Sequence, residues 1–139
     1  MLKFGKMKKT EFGITTDYDY LQKDILFVKF PFTDFQSFKN RPVIVISNDD
    51  YNSKALDLVV CAITSNLVYK DYAVLISNDD LDKGYLIKET LIKTSHIATI
   101  SKHIVIRKIA SLNNEKFEEV KKNLELLFKS SGTDDKDKL

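Results

Sequence analysis

A chain of 139 residues has room for one domain with a hydrophobic core and hardly for two. Its 43% apolar and 30% charged residues are the balance of a folded globular protein, which excludes a wholly disordered chain. The 22 basic residues exceed the 20 acidic ones by only two, so a nucleic-acid partner would have to be held by local patches.

Residues 1–22 carry charges, Tyr18, Tyr20 and Gly13 without sustained periodicity, and read as a flexible or loosely docked N-terminal arm. Its Lys3, Lys6, Lys8 and Lys9 either solubilise the chain or add nonspecific affinity for a nucleic acid. The arm lacks the apolar core of a signal peptide, and no apolar run approaches the roughly 20 residues that cross a bilayer. A cytoplasmic protein with no membrane partner is expected. The lone Cys61 rules out an internal disulfide, and no Lys, Arg or His beside it would activate the thiol, so it reads as buried and inert.

The body, residues 23–129, opens with the strand-like run DILFVKF at 24–30, which ends at Pro31. A polar loop over 33–40 leads to Arg41-Pro42, with Pro42 at the first residue of a second strand over 43–47. Asn and Asp at 48–52 favour a turn. A third strand is expected at 57–63, a fourth at 72–76, and further strand-like runs at 90–93, 96–100 and 104–110. Phe117, Val120, Leu124, Leu127 and Phe128 recur at spacings of three and four, which predicts a helix with one apolar face, with Asn113 as its N-cap. Residues 130–139 read as a disordered polar tail. Short strands separated by turn signals, then a helix, predict a mainly β fold: a small barrel or sandwich of about six or seven strands.

Two His and one Cys, without CxxC or HxxxH spacing, cannot build a structural zinc site. Phosphate-binding Gly-rich loops and a nucleophile elbow are absent as well, so no metal or cofactor is expected. His96 and His103 could form an acid–base pair, or could be ordinary loop histidines. Arg41 carries a fork that fits phosphate oxygens, and Thr64, Ser65 and Asn66 offer hydroxyls and an amide at a strand end. Such a set suits an oxyanion or phosphate, yet is equally explained as polar residues that end strands.

At this point the residues resemble a known family. DILFVKFPFT at 24–33, NRPVIVISND at 40–49, LVVCAITS at 58–65, and TISK and IRKIASL at 99–102 and 106–112 are similar, in that order, to blocks of the PemK/MazF toxins. The likeness covers about residues 22–128. It implies an SH3-like barrel of the CcdB/PemK type that forms a homodimer and is neutralised by a cognate antitoxin. It implies too a metal-independent endoribonuclease that cuts single-stranded RNA sequence-selectively. In that family the RNA's own 2′-hydroxyl attacks phosphorus, leaving a cyclic phosphate and a 5′-hydroxyl.

Arg41 and Thr64 fall on the family's catalytic arginine and threonine. Lys39, Ser47, Ser65, Asn66 and Phe32 are the expected substrate contacts. Phe32, Phe35 and Phe38 could stack on unpaired bases or pack over the barrel mouth. Lys23 stands where the family commonly has Gly, and Ala98 where many members carry an auxiliary Arg. The alternative is a non-catalytic barrel that binds RNA or inhibits a protein target such as gyrase.

Overall fold

A computed structural model describes residues 19–31, 38–68 and 71–130. Its strands are β1 (Asp24–Pro31), β2 (Phe38–Val45), β3 (Asp57–Thr64), β4 (Ala73–Ile76), β5 (Leu81–Gly84), β6 (Thr90–Ser101) and β7 (Val105–Leu112). A short helix α1 (Asp49–Lys54) follows β2, and α2 (Asn114–Leu127) ends the described chain. The strands form one antiparallel sheet in the order β4-β6-β3-β2-β1-β7-β5. The fold is mainly β with a C-terminal helix, as the sequence predicts.

Continuous apolar runs such as VIVI and LVVCAI suit strands buried on both faces. The central strands are buried that way. Ile25, Ile44, Cys61, Ile63 and Ile92 join a first cluster, which α2 covers with Phe117 and Val120. Leu26, Val28, Val43, Val45, Val60 and Ile100 join a second. Alternation along β1, β2 and β3 sends neighbouring residues to opposite clusters, and the sheet curls into a half-barrel around them. Asn113 caps α2 through its side chain, which accepts the Lys116 N–H at 2.8 Å.

Four local readings need correction. Strand β2 begins at Phe38, so Pro42 lies within it, opposite Phe27 of β1. Pairing with β3 starts only at Val43, so on that side the missing N–H of Pro42 breaks no ladder bond. The expected turn at 48–52 is the start of α1, with Asn48 as N-cap accepting the Tyr51 N–H at 2.8 Å. The runs at 90–93 and 96–100 are one strand, β6, broken by a bulge.

The fourth is β5, which carries no apolar alternation and pairs with β7 at the sheet edge through Gly84. Gly84 has φ +86, and a Cβ there would lie 2.2 Å from the Ile109 carbonyl oxygen, so glycine is required.

Of the expected arm, residues 1–18 lie outside the described residues, as does the tail from 131. Residues 19–22 are docked on the sheet. Tyr20 is buried in the second cluster, and Gln22 donates from its backbone N–H to Asp49 Oδ1 and from Nε2 to the Ile46 carbonyl, both at 2.8 Å. Among the described residues no helix is long and apolar enough to cross a membrane.

Candidate active site

Strands β2 and β3 pair with Val43 opposite Ala62, Ile44 opposite Cys61 and Val45 opposite Val60. Continuing that register by two residues in each strand carries Arg41 to the position across from Thr64. The faces agree. Arg41 is paired with Val28 in β1, and Val28 lies in the second cluster with Val43 and Val45. Thr64 alternates with Ala62 and Val60 on the same side of β3. Neighbouring strands run about 4.8 Å apart, so a guanidinium and a hydroxyl on adjacent strands and one face reach a common ligand. Lys39, opposite Phe30, continues the row on β2 and is exposed.

Beyond β3 the chain folds back at once. The Asn66 N–H donates to Thr64 Oγ1 at 3.1 Å, and the Val68 N–H donates to Asn66 Oδ1 at 3.1 Å. The Thr64 oxygen thus accepts from the backbone, and a hydroxyl that accepts one bond can still donate its O–H. Ser65 and Asn66 are exposed beside it.

Ser47 stands apart from this group. Its Oγ donates to Asn52 Oδ1 at 2.5 Å and accepts the Val59 N–H at 3.1 Å, while Asn52 Nδ2 donates to the Ser47 carbonyl at 2.9 Å. Six residues of extended chain separate Ser47 from Arg41, about 20 Å. Its hydroxyl ties β2, α1 and β3 together at the opposite end of the hairpin. Phe32 lies outside the described residues.

Two further side chains stand on β6, across β3 from Arg41. In β6, Ile97 is opposite Cys61 but Lys93 is opposite Ala62, so residues 94–96 form a bulge between consecutive positions of β3. Bulges of this kind re-aim side chains, often beside active sites. Lys93 shares the face of Ala62, hence that of Arg41 and Thr64. His96 leaves the bulge with Ser95 Oγ 3.2 Å from its Nδ1. Partial burial, and then the charge of Lys93, lower the His96 pKa from its ordinary value. His103 sits at the far end of β6, where its N–H donates to Ser101 Oγ at 3.1 Å, so the two histidines form no pair.

Sequence reasoning did not find Lys93, because residues 94 and 95 read as a gap between two strands and not as part of one. Ala98, in the place of the family's auxiliary Arg, is opposite Val60 and packs on the second cluster. Cys61 is fully buried, with its thiol pKa pushed up to about 12 by burial, and is no nucleophile. Among the described residues no three His, Cys, Asp or Glu side chains gather as a metal-ligand set.

Residues 21–128 match the family described as PemK-like, MazF-like toxin of type II toxin-antitoxin system. A search of curated proteins gave no match. Several solved structures share the fold. MazF (Form-I) from Deinococcus radiodurans superposes with a TM-score of 0.66 at 18% identity, covering 82% of this chain and 100% of that one. The MazE-MazF complex (Form-III) from the same organism gives 0.64 at 17%, covering 82% and 100%. An endoribonuclease in complex with its cognate antitoxin from Mycobacterial species gives 0.63 at 13%, covering 77% and 92%.

Proposed function

We propose that this chain, which belongs to the PemK-like, MazF-like toxin family of type II toxin–antitoxin systems, is an endoribonuclease that cuts single-stranded RNA without a metal ion. The observation that supports this best is the β2–β3 register, which, continued two residues past Val43 and Ala62, brings Arg41 and Thr64 to one face of adjacent strands.

In this reading the RNA backbone crosses the ends of β2 and β3. Arg41 holds two oxygens of the scissile phosphate through its planar fork and meets the charge that develops on them. Thr64 donates its O–H to the same phosphate and fixes its orientation. The 2′-hydroxyl of the preceding ribose is thereby held in line with the leaving 5′-oxygen, and attack closes a 2′,3′-cyclic phosphate and releases a 5′-hydroxyl. Lys39, Ser65 and Asn66 border the same notch and contact the neighbouring nucleotides, which gives a sequence-selective cut in mRNA.

The relatives solved with antitoxins support a cognate antitoxin as protein partner. On this reading the toxin works as a homodimer in the cytoplasm.

A second reading draws on Ala98, which adds an apolar contact where a cation would strengthen the phosphate grip. A barrel so altered would hold RNA without cutting it, or would inhibit a protein such as gyrase. The test is incubation of the full chain with single-stranded RNA in EDTA, beside a supercoiling assay. Cleavage by the wild type and its loss in Arg41→Ala support the nuclease. Tight RNA binding without products, or supercoiling inhibition alone, supports the second reading.

A further inference from the structure

The face that carries Arg41 and Thr64 extends across β6 to β4. Opposite Val60 stands Ala98, and opposite Ala62 stands Lys93, which faces Ala73 of β4 on its other side. The small residues Ala62, Ala73 and Ala98 leave a low floor between the longer side chains.

The bulge decides what rises from that floor. Thr94 turns inward, fully buried, and its hydroxyl donates to the Tyr72 carbonyl at 2.5 Å, while the Cys61 thiol lies 3.8 Å from the Thr94 carbonyl oxygen. With Thr94 anchored inside, the chain swings outward through Ser95 and His96. His96 lies near enough to Lys93, which stands opposite Ala62 on the face of Arg41 and Thr64, for that lysine's charge to act on its ring. Only β3 separates β6 from β2, so the backbones of His96 and Arg41 are about 10 Å apart laterally and offset by roughly 7–10 Å along the strands, within reach of two long side chains and a ligand between them. A phosphodiester fits between an imidazole and a guanidinium at that spacing.

We propose that His96 is the base of this site, taking the proton of the attacking 2′-hydroxyl while Arg41 and Thr64 hold the phosphate. The assignment rests on the endoribonuclease reading. In the step, the 2′-O–H proton passes to the His96 ring as the O2′–P bond forms. The P–O5′ bond breaks, the 5′-oxygen takes a proton from water, and the imidazolium later returns its proton to solvent.

A base must be neutral when substrate arrives, and the surroundings favour that. Lys93 is the charged group nearest along β6, and Arg41 stands across β3. On β3 the titratable neighbour is Cys61, its thiol turned to the opposite face, and β4 carries none. Helix α2 packs behind through Phe117 and Val120. Burial and Lys93 both lower the His96 pKa, which favours the uncharged ring that a base needs.

The test compares wild type, His96→Gln, His96→Gly and His103→Gln as full chains on one single-stranded RNA, across pH 5 to 9. For His96→Gln we expect kcat to fall about 100-fold or more with KM little changed, and the acidic limb of the rate profile to vanish. Added imidazole should restore part of the rate of His96→Gly, and His103→Gln should cut as the wild type does. His96 is exposed, so circular dichroism should show all variants folded. A His96→Gln enzyme within threefold of wild type, with its acidic limb intact, overturns the assignment. A wild type that cuts no RNA removes the nuclease reading itself, and this assignment with it.

Discussion

Arg41 and Thr64 occupy the same face of neighbouring strands, each two residues beyond the Val43–Ala62 pair that ends the β2–β3 ladder. Neither is held by the loop conformation alone. Arg41 is fixed by its pairing with Val28, and Thr64 by its pairing with Leu91 and by the Asn66 N–H on its oxygen. On the proposed reading, rigid sheet beneath both groups lets them meet one phosphate without reorganising.

Conservative changes should separate charge from geometry at this pair. Arg41→Lys keeps the charge and loses the fork, so cleavage should fall at least tenfold. Thr64→Ser keeps the donor and should retain most of the rate, while Thr64→Val removes it and should cost roughly 10- to 100-fold. Steady-state rates on a defined RNA decide this; equal rates for Thr64→Ser and Thr64→Val would mean that the hydroxyl is idle.

Ser47 should matter for folding and not for cutting. Ser47→Ala leaves the buried Asn52 amide oxygen and the Val59 N–H without a partner. Urea unfolding should show a loss of about 1–3 kcal/mol, with the rate per folded molecule unchanged. A fall in rate at full folding would return Ser47 to the RNA-binding surface.

Two backbone positions should respond in opposite directions. Lys23 has φ +84, a conformation glycine adopts freely and lysine adopts with strain. Lys23→Gly should therefore stabilise, by about 0.5–1 kcal/mol after the greater entropy of the unfolded chain is offset. Gly84→Ala drives a methyl into the Ile109 carbonyl at φ +86 and should cost about 2 kcal/mol or more. Thermal unfolding of both variants settles the signs.

The strands, the helix and its Asn113 cap were legible because alternating or continuous apolar runs and a three-and-four spacing leave few other ways to bury those residues. Arg41 and Thr64 were legible as candidates, but their shared face was not, since register depends on pairing between distant segments. Ser47 shows the converse. A serine after an apolar strand suits a binding edge and a turn equally, and only the contacts to Asn52 and Val59 distinguish them. Lys93 was missed because a bulge leaves no composition signal. The left-handed Lys23 was noticed only as a departure from glycine, and its φ gives that departure a physical meaning.

Cys61 should be silent in the native protein. With the thiol pushed up to about 12 by burial, iodoacetamide at pH 8 should label it only after denaturation. The sign for stability follows. The unfolded thiol ionises at its ordinary pH while the folded one keeps its proton, so stability falls as pH rises through the alkaline range up to about 12. Cys61→Ala should weaken that alkaline loss in a pH series of urea unfolding, at the cost of the removed sulfur's packing.

The most direct measurement of the central claim is a double-mutant cycle on RNA cleavage with Arg41→Ala, Thr64→Val and the double variant. If both groups grip one phosphate, the double variant should be little slower than Arg41→Ala alone, a coupling of about 1 kcal/mol or more. Independent, multiplicative losses, or full activity in Arg41→Ala, would contradict a shared site.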